Sequence, residues 1–133
     1  LADDSIVARY GAKLTLKNAV ANCTITEAES LQQIIQRIKS SRYDLIITDL
    51  QFSDGNGKEA AKYIRELTTS KNQKTPIVAL TGDIKKATEQ ECIASGIDQV
   101  LHKPLIRDVA NKMIDDVLRT SHAPNASVLS NAS

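Results

Sequence analysis

At 133 residues the chain has the length of one domain, enough to bury roughly two-thirds of the surface its unfolded form exposes. A net charge of +1 leaves no basic field for nucleic acid, and aromatics at 3% supply too few rings for the stacking platforms of single-strand binders, so direct nucleic-acid binding is not expected. No apolar stretch reaches membrane-spanning length and the start lacks the charged and apolar regions of a signal peptide, so a cytoplasmic domain without membrane contact of its own is expected.

In chain order, Asp3 and Asp4 come first, an adjacent acid pair ahead of a helix that begins near Ser5. Only Leu1 and Ala2 precede them, too few for a central strand of ordinary length, so the first strand is expected to be truncated, with residues upstream removed from the sequence. Cys23 to Thr26 reads as a strand, and Glu27 to Ser40 as a helix with Leu31, Ile34, Ile35 and Ile38 on one stripe. Asp44-Leu45-Ile46-Ile47-Thr48-Asp49 is an apolar run bounded by acids, the pattern of a buried strand that delivers a carboxylate to a sheet edge. Asp54-Gly55-Asn56-Gly57 then signals a turn and predicts a flexible loop directly after Asp49.

Lys58 to Leu67 follows as a helix with Ala61, Ile64 and Leu67 on one face, and Pro76 to Thr81 as a second buried strand ending in Thr81-Gly82. Lys85 to Ser95 is the weakest helix, its apolar face limited to Ala87, Cys92 and Ile93, so it is expected to be the most mobile and the most exposed to partners. Gly96 stops it as a C-cap. Gln99 to His102 is a last strand, and Pro104 to Leu118 a last helix with proline in its first turn and Leu105, Val109, Met113 and Val117 in one stripe. Residues 121–133 are rich in Ser, Asn and Ala without a period, the composition of a polar tail or linker after a domain spanning 1–120. Cys23 and Cys92 lack metal or redox spacing and read as buried free thiols, while His102 and His122 have no metal-spaced partner.

Strands alternating with helices imply an α/β fold, a parallel sheet covered on both faces. In such sheets the ligand crevice lies at the carboxyl ends of the strands. The strand ends here carry an acid pair, an acid, a hydroxyl and an amine: Asp3 and Asp4, Asp49, Thr81 and Lys103. Each has a plainer reading. Asp49 suits a helix or turn cap, Asp3 and Asp4 a solvated cap of the first helix, Thr81 a cap of the helix after it, and Lys103 a surface lysine before a proline.

Taken together, those residues resemble the receiver domain of two-component response regulators, over Leu1 to about Leu118. The resemblance implies a flavodoxin-like, doubly wound five-stranded parallel sheet of order 2-1-3-4-5. It also implies Asp49 as phosphoacceptor, Asp3 and Asp4 with Asp49 and the Gln51 backbone carbonyl as ligands of Mg²⁺, Thr81 as switch hydroxyl and Lys103 as the contact to the phosphoryl group. Such a domain catalyses its own phosphotransfer and dephosphorylation. The stretches Ala79-Leu80-Thr81-Gly82, Glu91 to Asp98 and His102-Lys103-Pro104-Leu105 look like receivers fused to hybrid sensor histidine kinases, which implies a histidine kinase or histidine phosphotransfer domain as partner. A stand-alone or output-coupled regulator is the alternative; nothing in the sequence specifies an oligomeric state.

Two departures bear on the switch. Where the family usually has Met-Pro after the acceptor, this chain has Phe52-Ser53, which predicts a looser loop. Where it often has Tyr or Phe three residues before the lysine, this chain has Val100, which argues against an aromatic rotamer switch. A haloacid-dehalogenase-like phosphatase would need a second Asp where Gln51 stands, and a flavodoxin-like flavin binder would need a phosphate-cradling loop in place of the acids Asp3 and Asp4.

Overall fold

The computed structural model describes residues 6–19, 24–52, 54–67, 72–82, 86–118 and 127–130. Along the chain, α1 (Ile6–Ala19) leads to β1 (Thr24–Thr26), α2 (Leu31–Ser40), β2 (Leu45–Asp49), β3 (Gln51–Phe52), β4 (Gly55–Asn56) and α3 (Gly57–Glu66). Then follow β5 (Ile77–Thr81), α4 (Lys86–Ala94), β6 (Gln99–His102), α5 (Arg107–Leu118) and β7 (Ser127–Ser130). The first four residues of β2 and of β5 are buried, so these strands need cover on both faces. Helices supply it, with α1 packed on α5 and α2 on α3.

The main sheet has the order β1-β7-β2-β5-β6, and every pairing in it is parallel. This is the expected doubly wound arrangement with one difference. The place between β1 and β2, expected for a strand ending at Asp3, is taken by Ser127–Ser130, so these residues of the tail are not a linker but part of the sheet. Val128 pairs with Ile25 on one side and with Leu45 on the other, and Leu129 with Thr26 and Ile46. The facing edges of β1 and β2 carry rows of backbone donors and acceptors that cost free energy if left unpaired in a core, and β7 satisfies both rows.

Helix boundaries moved where capping chemistry overrode apolar spacing. α2 starts at Leu31 rather than Glu27, because Ser30 adopts an extended backbone and its hydroxyl accepts the Gln33 N–H at 3.1 Å, which fixes the first turn there. α5 starts at Arg107, so Pro104 precedes the helix instead of opening it; the Lys103–Pro104 peptide is cis. α4 ends where Gly96 takes φ of 105°, a left-handed backbone that favours glycine, and a Cβ there would lie 2.6 Å from Arg65 Cγ. Of its expected apolar face, Cys92 is buried, whereas Ile93 points to solvent; Ile97, past the end of the helix, is buried as well. Burial pushes the Cys92 thiol above its ordinary value, as fits a packing residue.

Two polar knots fix the amino ends of the strands. Asn72 is fully buried; its Oδ1 accepts the Tyr43 N–H at 2.7 Å and its Nδ2 donates to the carbonyls of Ile38 and Ser41 at 2.9 and 2.6 Å. The Arg65 guanidinium donates from α3 to the carbonyls of Gly96, Gln73 and Thr75 and to Asp98 Oδ2, which also accepts the Ile77 N–H. Together they set the heights at which β2, β5 and β6 begin, and so the level at which those strands end.

Candidate functional site

Parallel pairing in register brings the strand ends to one edge: Asp49 lies opposite Leu80, Leu80 opposite Leu101, and Thr81 opposite His102. Asp49 and Lys103 meet there although 54 positions separate them in the chain. The Lys103 ammonium donates to Asp49 Oδ2 at 3.0 Å, with the lysine side chain 29% and the carboxylate 14% exposed. Lys103 is therefore no surface lysine. It is aimed by its own backbone, whose N–H donates to the Thr81 carbonyl at 2.8 Å and draws the segment after β6 over the end of β5.

The other carboxylate oxygen, Asp49 Oδ1, accepts the Leu50 N–H at 2.7 Å, and the Thr48 hydroxyl donates to the Asp49 carbonyl at 2.8 Å. Asp49 does not cap a helix. The N-cap of α3 is Asn56, whose Oδ1 accepts the Glu59 N–H at 2.9 Å. Nor does Thr81 cap α4, which begins five residues later at Lys86. Gln51 sits in the short hairpin β3–β4, two residues past Asp49, where its backbone pairs with Asn56. Asp3, Asp4, Cys23 and His122 lie outside the described residues. His102 is exposed, its Nδ1 2.6 Å from the carbonyl oxygen of Lys103.

Among its described residues, the loop after Asp49, expected to be loose from its glycines and its Phe52-Ser53 pair, makes close contacts. Phe52 is buried, the Gly57 N–H donates to the Leu50 carbonyl at 3.0 Å, and a Cβ on Gly57 would collide with the carbonyl oxygen of Asp49. Only glycine allows that approach. Asp54, which turn chemistry explains as a loop former, accepts the N–H groups of Leu31 and Gln32 at 2.9 and 3.1 Å, and these bonds hold its carboxyl below the ordinary value of 3.8. Its partners stand 23 and 22 positions away, so no local pattern announces the contact.

A largely buried carboxylate at a sheet edge, with one oxygen on an ammonium and the other on a backbone amide, is held in one orientation beside a cation, an arrangement in which a carboxylate can serve as a nucleophile. A model of the response regulator receiver domain matches residues 1–115. The chain belongs to that family. It is a receiver domain of two-component signalling. It is 32% identical over 110 residues to the rice (Oryza sativa subsp. japonica) two-component response regulator ORR41, covering 81% of this chain and 84% of that protein. It is 36% identical over 93 residues to Histidine kinase 1 of Arabidopsis thaliana, covering 70% of this chain but only 7% of that protein. The receiver domain of sensor histidine kinase PA1611 from Pseudomonas aeruginosa PAO1 superposes with a TM-score of 0.78 at 21% identity, over 89% of this chain and 93% of that one. That structure has a magnesium ion coordinated in its active-site cleft. Receiver domains typically bind magnesium at their active site.

The donors described here fit such an ion. The Asp49 carboxylate and the Gln51 carbonyl are hard oxygen donors of the kind magnesium takes, and the single charge of the Lys103 ammonium leaves room for further positive charge beside the Asp49 carboxylate.

Proposed function

We propose that Asp49 accepts a phosphoryl group from a phosphohistidine, and that the domain passes it on to a histidine phosphotransfer domain as a step of a phosphorelay. The observation that carries this reading is the Lys103–Asp49 contact at the carboxyl edge of the sheet. An Asp49 carboxylate oxygen attacks phosphorus, a P–O bond forms as the P–N bond breaks, and the imidazole leaves with the electron pair of that bond. The Leu50 N–H holds Oδ1 and so fixes the plane of the carboxylate. Lys103 follows the incoming charge, exchanging its contact with Oδ2 for one with a phosphoryl oxygen. Thr81, one residue past the partner of Asp49 in β5, supplies a hydroxyl to the same oxygens. Asp3, Asp4, Asp49 and the Gln51 carbonyl would hold Mg²⁺, which supplies the positive charge that lets anionic nucleophile and phosphoryl group approach.

Two features support a helical partner. Val7, Tyr10 and Leu14 form an exposed apolar stripe along α1, and Ile106, three residues beyond Lys103, is half exposed. Such side chains give an incoming helix apolar surface to bury beside the histidine it presents. The likeness to Histidine kinase 1 favours a receiver within a hybrid kinase; the near full-length match to ORR41 favours a separate regulator. Phosphotransfer separates them. A phosphorylated histidine phosphotransfer protein, mixed with this chain and magnesium, should lose its label to the chain, and fresh unphosphorylated protein should recover it. Forward transfer followed only by hydrolysis would overturn the relay and leave the separate regulator.

A further inference from the structure

The loop that carries Gln51 is held from outside itself. The amide groups of the first turn of α2 have no partner within the helix. Ser30 Oγ takes that of Gln33, and the Asp54 carboxylate, reaching across from the β3–β4 turn, takes those of Leu31 and Gln32, one on each oxygen. An anion at a helix N-terminus is favoured by the helix dipole, and hydrogen bonds to a carboxylate are stronger than neutral ones. The neighbouring Gly55 is packed so closely on α2 that a Cβ would strike Leu31 Cδ2. From this clamp the rigidity runs inward: the hairpin pairs Phe52 with Gly55 and Gln51 with Asn56, and Asn56 caps α3. Gly57 closes the loop against Leu50 and the carbonyl of Asp49.

We propose that Asp54 is a positioning residue for the phosphoacceptor site. By locking the turn to α2 it fixes the height of the Gln51 carbonyl relative to the Asp49 carboxylate, supplying the stiffness that a proline at position 53 would give through its fixed φ. The geometry of the site and the placement of α2 are thereby coupled. This rests on the reading of Asp49 and Gln51 as magnesium ligands.

The test is magnesium titration of the whole chain followed by amide chemical shifts, for wild type, Asp54→Ala and Asp54→Asn. Asp54→Ala should move the amide shifts of Leu31 and Gln32 without metal and should weaken magnesium binding roughly tenfold, the loss typical when the support of a metal ligand is removed. Asp54→Asn, which keeps an oxygen for one of the two amides, should recover most of that affinity. Displaced Leu31 and Gln32 shifts with unchanged magnesium affinity in Asp54→Ala would overturn the proposal and reduce Asp54 to a helix cap. Absence of magnesium binding in the wild type would instead defeat the metal reading, and the positioning role with it.

Discussion

At the scale of single residues the chemistry follows from where side chains end rather than from what surrounds them in sequence. Asp49 and Lys103 are legible because one closes a strand and the other directly follows one, and parallel strands in register deliver their ends to one edge. Asp54 and Arg65 are not legible, since their partners lie on other elements. Lys103 holds Asp49 Oδ2, so in the proposed reaction a phosphoryl group on Asp49 would give it a new partner and the two states would differ in this contact. A differential contact of that kind is what a two-state switch requires. Val100, half-buried against the core and paired with Ala79, offers no ring to rotate, so the proposed switch would rest on Lys103 and Thr81. Lys103→Ala should therefore abolish most of the amide shift change that beryllofluoride induces at residues 86–95, while magnesium affinity stays within about threefold of wild type, because the ammonium touches the carboxylate and not the metal. Equal shift changes in both proteins would remove Lys103 from the switch.

At the scale of elements, the apolar periods located every strand of the sheet except β7 and all of the later helices, and missed starts by a few residues where caps decided. Ser30 and Asp54 hold the start of α2 at Leu31, and Asn56 opens α3, each by side-chain acceptance of backbone N–H groups. Packing between elements is fixed by Arg65, whose half-buried fork joins α3 to the segment before β5 and to the turn between α4 and β6. Removing it strands three carbonyls, each with a desolvation cost. Arg65→Ala should lower stability by about 2–3 kcal/mol in urea denaturation, and Arg65→Lys should recover little because an ammonium cannot span the fork. Phosphorylation should persist in the folded fraction, since these contacts lie at the amino ends of β5 and β6. A loss below about 0.5 kcal/mol would mean that solvent replaces the fork without penalty.

At the scale of the whole molecule, the alternation of strand and helix was enough to specify a parallel doubly wound sheet, but not its centre. Ser127–Ser130 fills that place although its composition, Ser-Val-Leu-Ser within a run of Ser, Asn and Ala, carries too short an apolar stretch to stand out as a strand. What selects it is the demand of two facing strand edges. Removing residues 121–133 should cost roughly 3 kcal/mol or more through the lost ladder bonds, lowering the thermal midpoint well below that of the full chain; an unchanged midpoint would show that β7 is dispensable. The sheet exists, on this view, to hold one carboxylate beside one amine. The most direct measurement is intact-mass spectrometry after treatment with acetyl phosphate and magnesium, comparing wild type with Asp49→Asn at equal fold content by circular dichroism. Wild type should gain the mass of one phosphoryl group and the Asp49→Asn variant none, whereas undiminished labelling of the variant would place the acceptor elsewhere.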